Sequence, residues 1–193
     1  MTGFDRKEIE DFLERWIEAN VEAEKSQDWG PLAEFYAKDA HYGWNYGPKD
    51  DFMAVGRDEI RELALGQEMR GLEGWEYPYR HRIIDEKTGD VICLWGQIAR
   101  GTVDPETGKP FEVYGLGGSW FRYGGEGQWA WQRDFFDFGN VAGLFMRMYE
   151  ADALSDGMKA RFASAGEKLP GWYRIRTAPK DIWPEEFPED LGV

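Results

Sequence analysis

Gln132, Asp134 and Phe136 alternate along the chain with Trp131, Arg133 and Phe135. Alternate residues of a strand face opposite sides, so Asp134 shares one face with Gln132 and Phe136. If that face lines a cavity, the carboxylate loses hydration, and desolvation raises its pKa toward the range useful for a general acid or base at neutral pH. The alternative is a buried Asp paired with an Arg, which imitates a catalytic carboxyl. His81 alternates with Trp75, Tyr77, Tyr79 and Ile83, opposite Glu76, Arg80 and Arg82. In that aromatic company an imidazole either exchanges protons near its reference pKa of ~6.5 or hydrogen-bonds a core tyrosine. Tyr42, Tyr77 and Tyr79 offer phenol donors that can polarise an oxygen or satisfy a buried neighbour. Trp44, Trp95 and Phe136 are candidate walls for stacking a substrate ring, with core packing as the other reading.

Other chemistries lack their parts. The one cysteine, Cys93, sits in an apolar run, which rules out an intramolecular disulfide and a multi-cysteine metal site. The two histidines, His41 and His81, lie on separate segments, so no zinc set is expected; alternation turns His41 away from Tyr42 and Trp44, toward a structural role. Gly115, Gly117 and Gly118 fall inside a strand and form no dinucleotide fingerprint. Ser119 lacks the Gly-x-Ser-x-Gly elbow of a nucleophile. The chemistry expected is therefore proton transfer without metal or cofactor. A formal net charge of -14 opposes binding to nucleic acid or anionic membrane. Residues 1–10 are charged and lack an apolar signal core, and no stretch approaches the ~20 apolar residues that span a bilayer; the expected location is the cytoplasm.

The elements that must position these groups follow from periodicity. Ile9, Phe12, Leu13, Trp16, Ile17 and Val21 recur at steps of three and four, predicting a helix over 5–26. Asn20 falls in that stripe, either as a satisfied core amide or aimed at a ligand. A short helix is predicted over 31–37 and a strand over 40–46. Residues 43–55 mix turn formers with Trp44, Tyr46, Phe52 and Met53, which suggests a flap over a pocket. A third helix is predicted over 57–65. From Trp75 the period becomes two, with strands over 75–85, 90–102, 111–123 and 128–138 joined by hairpin turns into an antiparallel meander. The glycines between 115 and 118 permit sharp bending, so the sheet should curve strongly. Helices return over 141–149 and 156–165, the latter capped by Ser155. Residues 169–193 are Pro-broken yet carry Trp172, Tyr173, Trp183 and Phe187, and should lie extended on the domain or on a partner subunit. One domain over 1–150 with a packed tail over 151–193 is the expected organisation, and the aromatic stock of 16% suits a cavity that grips flat ligands.

Two motifs carry a family resemblance. Leu32 to Ala40, followed by Gly56-Arg57-Asp58-Glu59-Ile60-Arg61, resembles the "L-x-x-x-Y-A-x-D-A … G-R-x-x-I-R" pattern of the nuclear transport factor 2-like superfamily. Gln132-Arg133-Asp134-Phe135-Phe136-Asp137 resembles the "W-R-D-Y-F-D" strand of its epoxide hydrolases and SnoaL-like polyketide cyclases. The resemblance covers residues 8–150 and implies an α+β fold: a cone of curved antiparallel sheet packed against N-terminal helices around a small-molecule pocket. It implies Asp134 as the carboxylate that activates water in the epoxide hydrolases and Tyr42 as the tyrosine that helps hold that water. The Arg and Asp that complete the epoxide-hydrolase set fall near Gln97 and Arg100, and its Asn falls at Trp44, also the place of the base in ketosteroid isomerases, whose helix tyrosine is Asn20 here. The chain thus departs from both machineries. A cofactorless lyase of the superfamily that deformylates lignin-derived diarylpropanes to stilbenes suits the overall character. The resulting expectation is a lyase or isomerase of an aromatic molecule, with Asp134, His81 and Tyr42 catalytic and Asn20, Trp44, Tyr46, Tyr77, Tyr79, Trp95, Gln97 and Phe136 binding substrate. A non-catalytic binding domain, or a hydrolase or dehydratase, is the alternative; the superfamily implies a homodimer or higher homo-oligomer.

Overall fold

The computed structural model describes residues 3–164 and 167–183. Helix α1, Arg6–Ser26, is capped by the Asp5 carboxylate, which accepts from Lys7 N, and buries Ile9, Phe12, Leu13 and Trp16, as the spacing predicts. Residues 31–37 do not form the predicted α-helix. A 3-10 turn over Gly30–Phe35 runs straight into strand β1, Tyr36–Tyr46, because Tyr36 has an extended backbone and is fully buried as a strand residue.

The predicted flap is instead half of a hairpin. Strand β2, Asp50–Val55, pairs antiparallel with β1 from His41↔Val55 to Tyr46↔Asp50. Phe52, Met53 and Ala54 are all fully buried, so the apolar residues that suggested a cover belong to a strand enclosed on both sides. Helix α2, Arg57–Glu59, continues as a π-helical turn over Ile60–Ala64.

Three predicted long strands are each broken in two. Strands β3, Trp75–Glu76, and β4, Tyr79–Asp85, flank Pro78; β5, Asp90–Trp95, and β6, Ile98–Ala99, flank Gly96; β7, Phe111–Glu112, and β8, Gly117–Tyr123, flank Gly115. Pro removes a ladder donor and Gly permits a sharp bend, so the breaks fall where the chain can leave one sheet for another. Strands β3, β6 and β7 form a small second sheet. Strand β9 spans Trp129–Phe136. With β10, Trp172–Arg174, at its edge, the main sheet has seven strands in the order β10-β2-β1-β9-β8-β5-β4. Strands β4, β5, β8 and β9 are the predicted antiparallel meander, whereas β1 joins β9 in parallel.

Helices α3, Phe138–Glu150, and α4, Asp156–Ala163, pack with the small sheet through Trp75, Phe111, Leu144, Met148 and Met158. The Ser155 hydroxyl accepts from Met158 N at 3.1 Å, as expected of its cap. Strand β10, Trp172–Arg174, pairs with β2, so this part of the tail is built into the sheet. Phe187 and the acidic residues 185–190 lie outside the described residues. No helix among the described residues is long and apolar enough to cross a membrane.

Candidate active site

Asp134 sits on the inner face of the main sheet, the face covered by α1. The registers that place it are Ser119↔Asp134 and Trp44↔Asp134. Three side chains converge on its carboxylate: Ser119 Oγ donates to Oδ1 at 2.6 Å, Gln132 Nε2 donates to Oδ1 at 2.7 Å, and Tyr42 Oη donates to Oδ2. Gln132 is held in turn by the Tyr36 hydroxyl, which donates to its Oε1. Ser119 is held by Trp95, whose Nε1 donates to its Oγ at 3.0 Å. Each carboxylate oxygen has about two acceptor positions. Both are taken on Oδ1 and one on Oδ2, which leaves a single lone pair available.

The electrostatics follow from depth. Burial pushes the Asp134 carboxyl above its ordinary range, against the pull of its bonds to Ser119, Tyr42 and Gln132 and of the Arg133 charge. Burial, and then the Asp134 charge, raise the phenols of Tyr36 and Tyr42 well above their usual value. Burial likewise raises Tyr79 and Tyr77, and the Asp134 charge adds to both. Four neutral phenols therefore share the field of one carboxylate. Asp134 nevertheless keeps part of its surface accessible, as do Tyr77, Tyr79, Trp95 and Phe136. Close approach of Trp95 depends on a glycine: a Cβ at Gly117 would lie 2.5 Å from the Trp95 ring.

No family model and no curated protein sequence matches the chain. Solved structures do. A candidate SnoaL-like polyketide cyclase from Jannaschia sp. CCS1 superposes with a TM-score of 0.53 at 14% identity, covering 74% of this chain and 96% of its own. PrhC from Penicillium brasilianum superposes with a TM-score of 0.53 at 12% identity over 80% of this chain and 96% of its own. A nuclear transport factor 2-like protein from Anabaena variabilis gives 0.52 at 13% identity over 71% and 95%. The chain has the nuclear transport factor 2-like fold. At these identities the likeness concerns architecture, and the site must be judged on its own residues.

Within this nuclear transport factor 2-like domain, the other predicted residues divide. Tyr42 reaches Asp134 directly. Trp44 is buried beside it in register, its ring stacked on Phe52 at 4.0 Å. Tyr79 accepts from Trp16 Nε1 at 2.9 Å, and Tyr77 meets Trp95 edge-on at 6.0 Å between ring centres. Asn20 commits its amide N–H to the Trp16 carbonyl at 2.7 Å, one helical turn back. Tyr46 belongs to a separate cluster: it packs on Trp172 at 4.0 Å and accepts from Arg161, which pairs with buried Glu68. Gln97 is half-buried, and its backbone carbonyl accepts from Val113.

His81 is corrected. It is exposed on the outer face, because the register shifts between Tyr79↔Trp95 and His81↔Leu94. This bulge inserts one residue and inverts the alternation. Beyond it Arg82 reaches Glu14 on α1 and Ile84 packs on the core, so His81 turns outward with Ile83. His41 also lies on the outer face, where Arg133 Nη2 donates to its Nδ1 at 2.8 Å. Burial, followed by the Arg133 charge, lowers its pKa to about 4. Arg133 itself, on the face opposite Asp134, donates to the carbonyls of His41, Gln132, Asp181 and Ile182. Sequence reasoning gave no role at the site to Ser119, Gln132 or Tyr36. The available signal for Ser119 was a lone hydroxyl alternating with Phe121 and Tyr123. Among the described residues no group of three or more His, Cys, Asp or Glu side chains gathers to hold a metal ion.

Proposed function

We propose that this chain is a cofactor-independent acid–base enzyme, a lyase or isomerase of an aromatic small molecule, with Asp134 as the proton acceptor. The observation that carries the reading is the Asp134 carboxylate: raised in basicity by burial, fixed by three donors, left with one lone pair, and surrounded by Tyr, Trp and Phe. A base raised toward the working pH and held in one orientation is what general-base catalysis needs. Tyr42, already bonded to Oδ2, moves with the proton and can stabilise negative charge developing on a substrate oxygen.

The most specific form of this reading is deformylation of a lignin-derived diarylpropane diol to a stilbene. Asp134 takes the proton of the primary hydroxyl. The O–H electron pair becomes the C=O of formaldehyde, the adjacent C–C bond breaks, and its pair forms the alkene as the benzylic hydroxyl departs. Asp134 returns the proton to that hydroxyl, which leaves as water, so atoms and charge balance without a co-reactant. Mass spectrometry of a diarylpropane diol incubated with the protein should show stilbene and formaldehyde, and Asp134→Asn should lower turnover by about 10²-fold or more. Unchanged turnover in that variant sinks the assignment.

The second reading is a binding domain without turnover. The donors crowding Asp134 favour it, since a purely structural buried carboxylate would also be satisfied in this way. Tight retention of an aromatic ligand with no product would decide for it. The lyase reading also expects a homodimer through the outer sheet face, where Ile83 and Phe135 are exposed; a monomer in sedimentation removes that part.

A further inference from the structure

Arg133 is a buried cation, 4% exposed, whose bonds reach no carboxylate among the described residues. Its Nε donates to the Ile182 carbonyl at 2.8 Å. Nη1 donates to the carbonyls of Gln132 at 2.7 Å and His41 at 3.3 Å, and Nη2 to the Asp181 carbonyl at 2.7 Å and to His41 Nδ1. The five N–H donors of a guanidinium are thus all taken, and every acceptor is neutral. The neighbours on this face add positive charge: Arg122 stands over the Trp131 ring at 5.3 Å beside Arg133 at 5.8 Å, and Lys180 is close enough to act on His41. A strap after β10 shuts the cation from water. Ile175 N donates to the Lys49 carbonyl, Arg176 N to buried Asp51, the carbonyls of Asp181 and Ile182 sit on Arg133, and Trp183 meets Trp120 at 6.3 Å. Residues 175–183 therefore run across the outer face from β2 to β8. A buried charge is costly unless an opposite charge lies near. The next residue of β9 supplies one: Asp134, on the other face, is a buried carboxylate whose three donors, Ser119, Gln132 and Tyr42, are neutral in their turn.

We infer that Arg133 and Asp134 are each other's counter-charge through the sheet, and that Arg133 is a positioning residue for the proposed base: it keeps the carboxylate charged, and the strap keeps the cation dry. This role rests on the reading of Asp134 as the proton acceptor. Separation by the sheet matters, because a contact ion pair would occupy the one lone pair that the three donors leave open, whereas a cation on the far face stabilises the charge and leaves that lone pair to the substrate. The mutual pull has the required direction. The Arg133 charge draws the Asp134 carboxyl down against burial, and Asp134 comes ahead of Asp181 among the charges that raise Arg133. Burial takes the guanidinium down to about 10, which leaves it charged at neutral pH.

The test uses the full chain with two substitutions: Arg133→Gln, which removes the charge but keeps an amide for the strap carbonyls, and Arg133→Lys, which keeps the charge but loses the planar fork. The Asp134 carboxyl is titrated directly by carbon NMR of carboxyl-labelled aspartate, its signal assigned from Asp134→Asn, and turnover is followed over the same pH range. Asp39 and His41 on β1, Arg122 on β8, Lys180 and Asp181 on the strap, and the four phenols inside surround the pair and are common to the proteins compared, so a difference reports the charge of residue 133. Arg133→Gln should raise the carboxyl pKa by about half to one unit, leaving it about three- to tenfold less ionised at a pH below that value, and should carry the acid limb of turnover with it. Arg133→Lys should stay within about 0.2 unit of the wild type. An unshifted carboxyl in Arg133→Gln overturns the pairing. Equal shifts in both variants also overturn it, by showing that the residue acts through the strap it holds. Should Arg133→Gln not fold, Arg133→Lys still decides: a carboxyl displaced by more than about half a unit despite the kept charge overturns the pairing, and an unmoved one supports it. A carboxyl that shifts as expected while turnover ignores it rejects Asp134 as the base, and the positioning role with it.

Discussion

The inner face of the main sheet has two ends built from the same residue types, and they behave differently. Under α1, the rings of Phe12, Trp16, Tyr36, Phe121, Tyr123 and Trp129 interlock at centroid distances from 4.5 to about 6 Å and are at most 2% exposed. Further along, Tyr42, Ser119 and Gln132 bond to Asp134, and Tyr79, Trp95 and Phe136 each keep accessible surface. Aromatic content is therefore no guide to a cavity; what separates the ends is the polar cargo. The packed end sends its polar tips to its edges, Tyr36 donating to Gln132, Trp16 to Tyr79 and Tyr123 to Glu8, and the first of these leads on to the carboxylate at the accessible end. A buried charge needs donors, and the groups that supply them cannot pack as tightly as hydrocarbon rings.

The largest expected effect breaks this contrast on stability. Trp129→Ala should cost ~3–5 kcal/mol in urea unfolding, as large-to-small changes do in a solid core, whereas Phe136→Ala should cost no more than about 1 kcal/mol. Equal costs at the two positions would mean that both ends are packed alike and that no space exists at Asp134.

Acid titration sharpens the contrast between the inner and outer faces. The Asp134 carboxyl is raised above its ordinary value of 3.8, so between that value and its native one the folded state holds the extra proton, and stability falls as pH rises through this window. His41 has the opposite sign. Its pKa drops from 6.5 to about 4, so the unfolded state holds the extra proton and stability is lost as pH falls from about 6.5 toward 4. For a ring that is partly solvated, the effect should be on the order of 1–2 kcal/mol. Unfolding curves against pH should lose the first slope in Asp134→Asn and the second in His41→Gln. Profiles that do not change would show that neither group is perturbed by its surroundings.

A smaller effect concerns the donors alone. Ser119→Ala removes one bond to Oδ1 while Gln132 keeps the other. Losing a donor to the charged form should raise the Asp134 pKa further and move the acid limb of the turnover profile up by about half to one unit. A limb that stays in place would mean the Ser119 bond does not act on the reacting carboxyl.

How much of this was legible depended on strand regularity. From Trp131 to Phe136 β9 pairs with β8 residue for residue, so simple alternation placed Gln132, Asp134 and Phe136 correctly on one face. The partners of Asp134 were harder. Ser119 lies 15 residues away and Tyr42 lies 92 away, and their meeting depends on a hairpin register and on the parallel pairing of β1 with β9, neither of which is encoded locally. Where the ladder is irregular, alternation misled. The residues around Pro78, Gly96 and Gly115 send the chain into a second sheet, and the bulge after Tyr79 reverses the side on which each following residue falls.

That bulge gives the smallest expected effect and the cleanest check on the face assignment. The inversion leaves His81 in water on the outer face while Tyr79, two residues earlier, is bonded to Trp16 inside. His81→Ala should then leave turnover within about twofold and stability within roughly 0.5 kcal/mol, as exposed substitutions do. Tyr79→Phe removes the acceptor of a buried indole N–H and should destabilise by about 1–3 kcal/mol. If instead His81→Ala abolished turnover, with unfolding unchanged, the imidazole would have to reach the substrate, and β4 would have to be paired one residue out of its register with β5, in which His81 faces Leu94 and Ile83 faces Ile92.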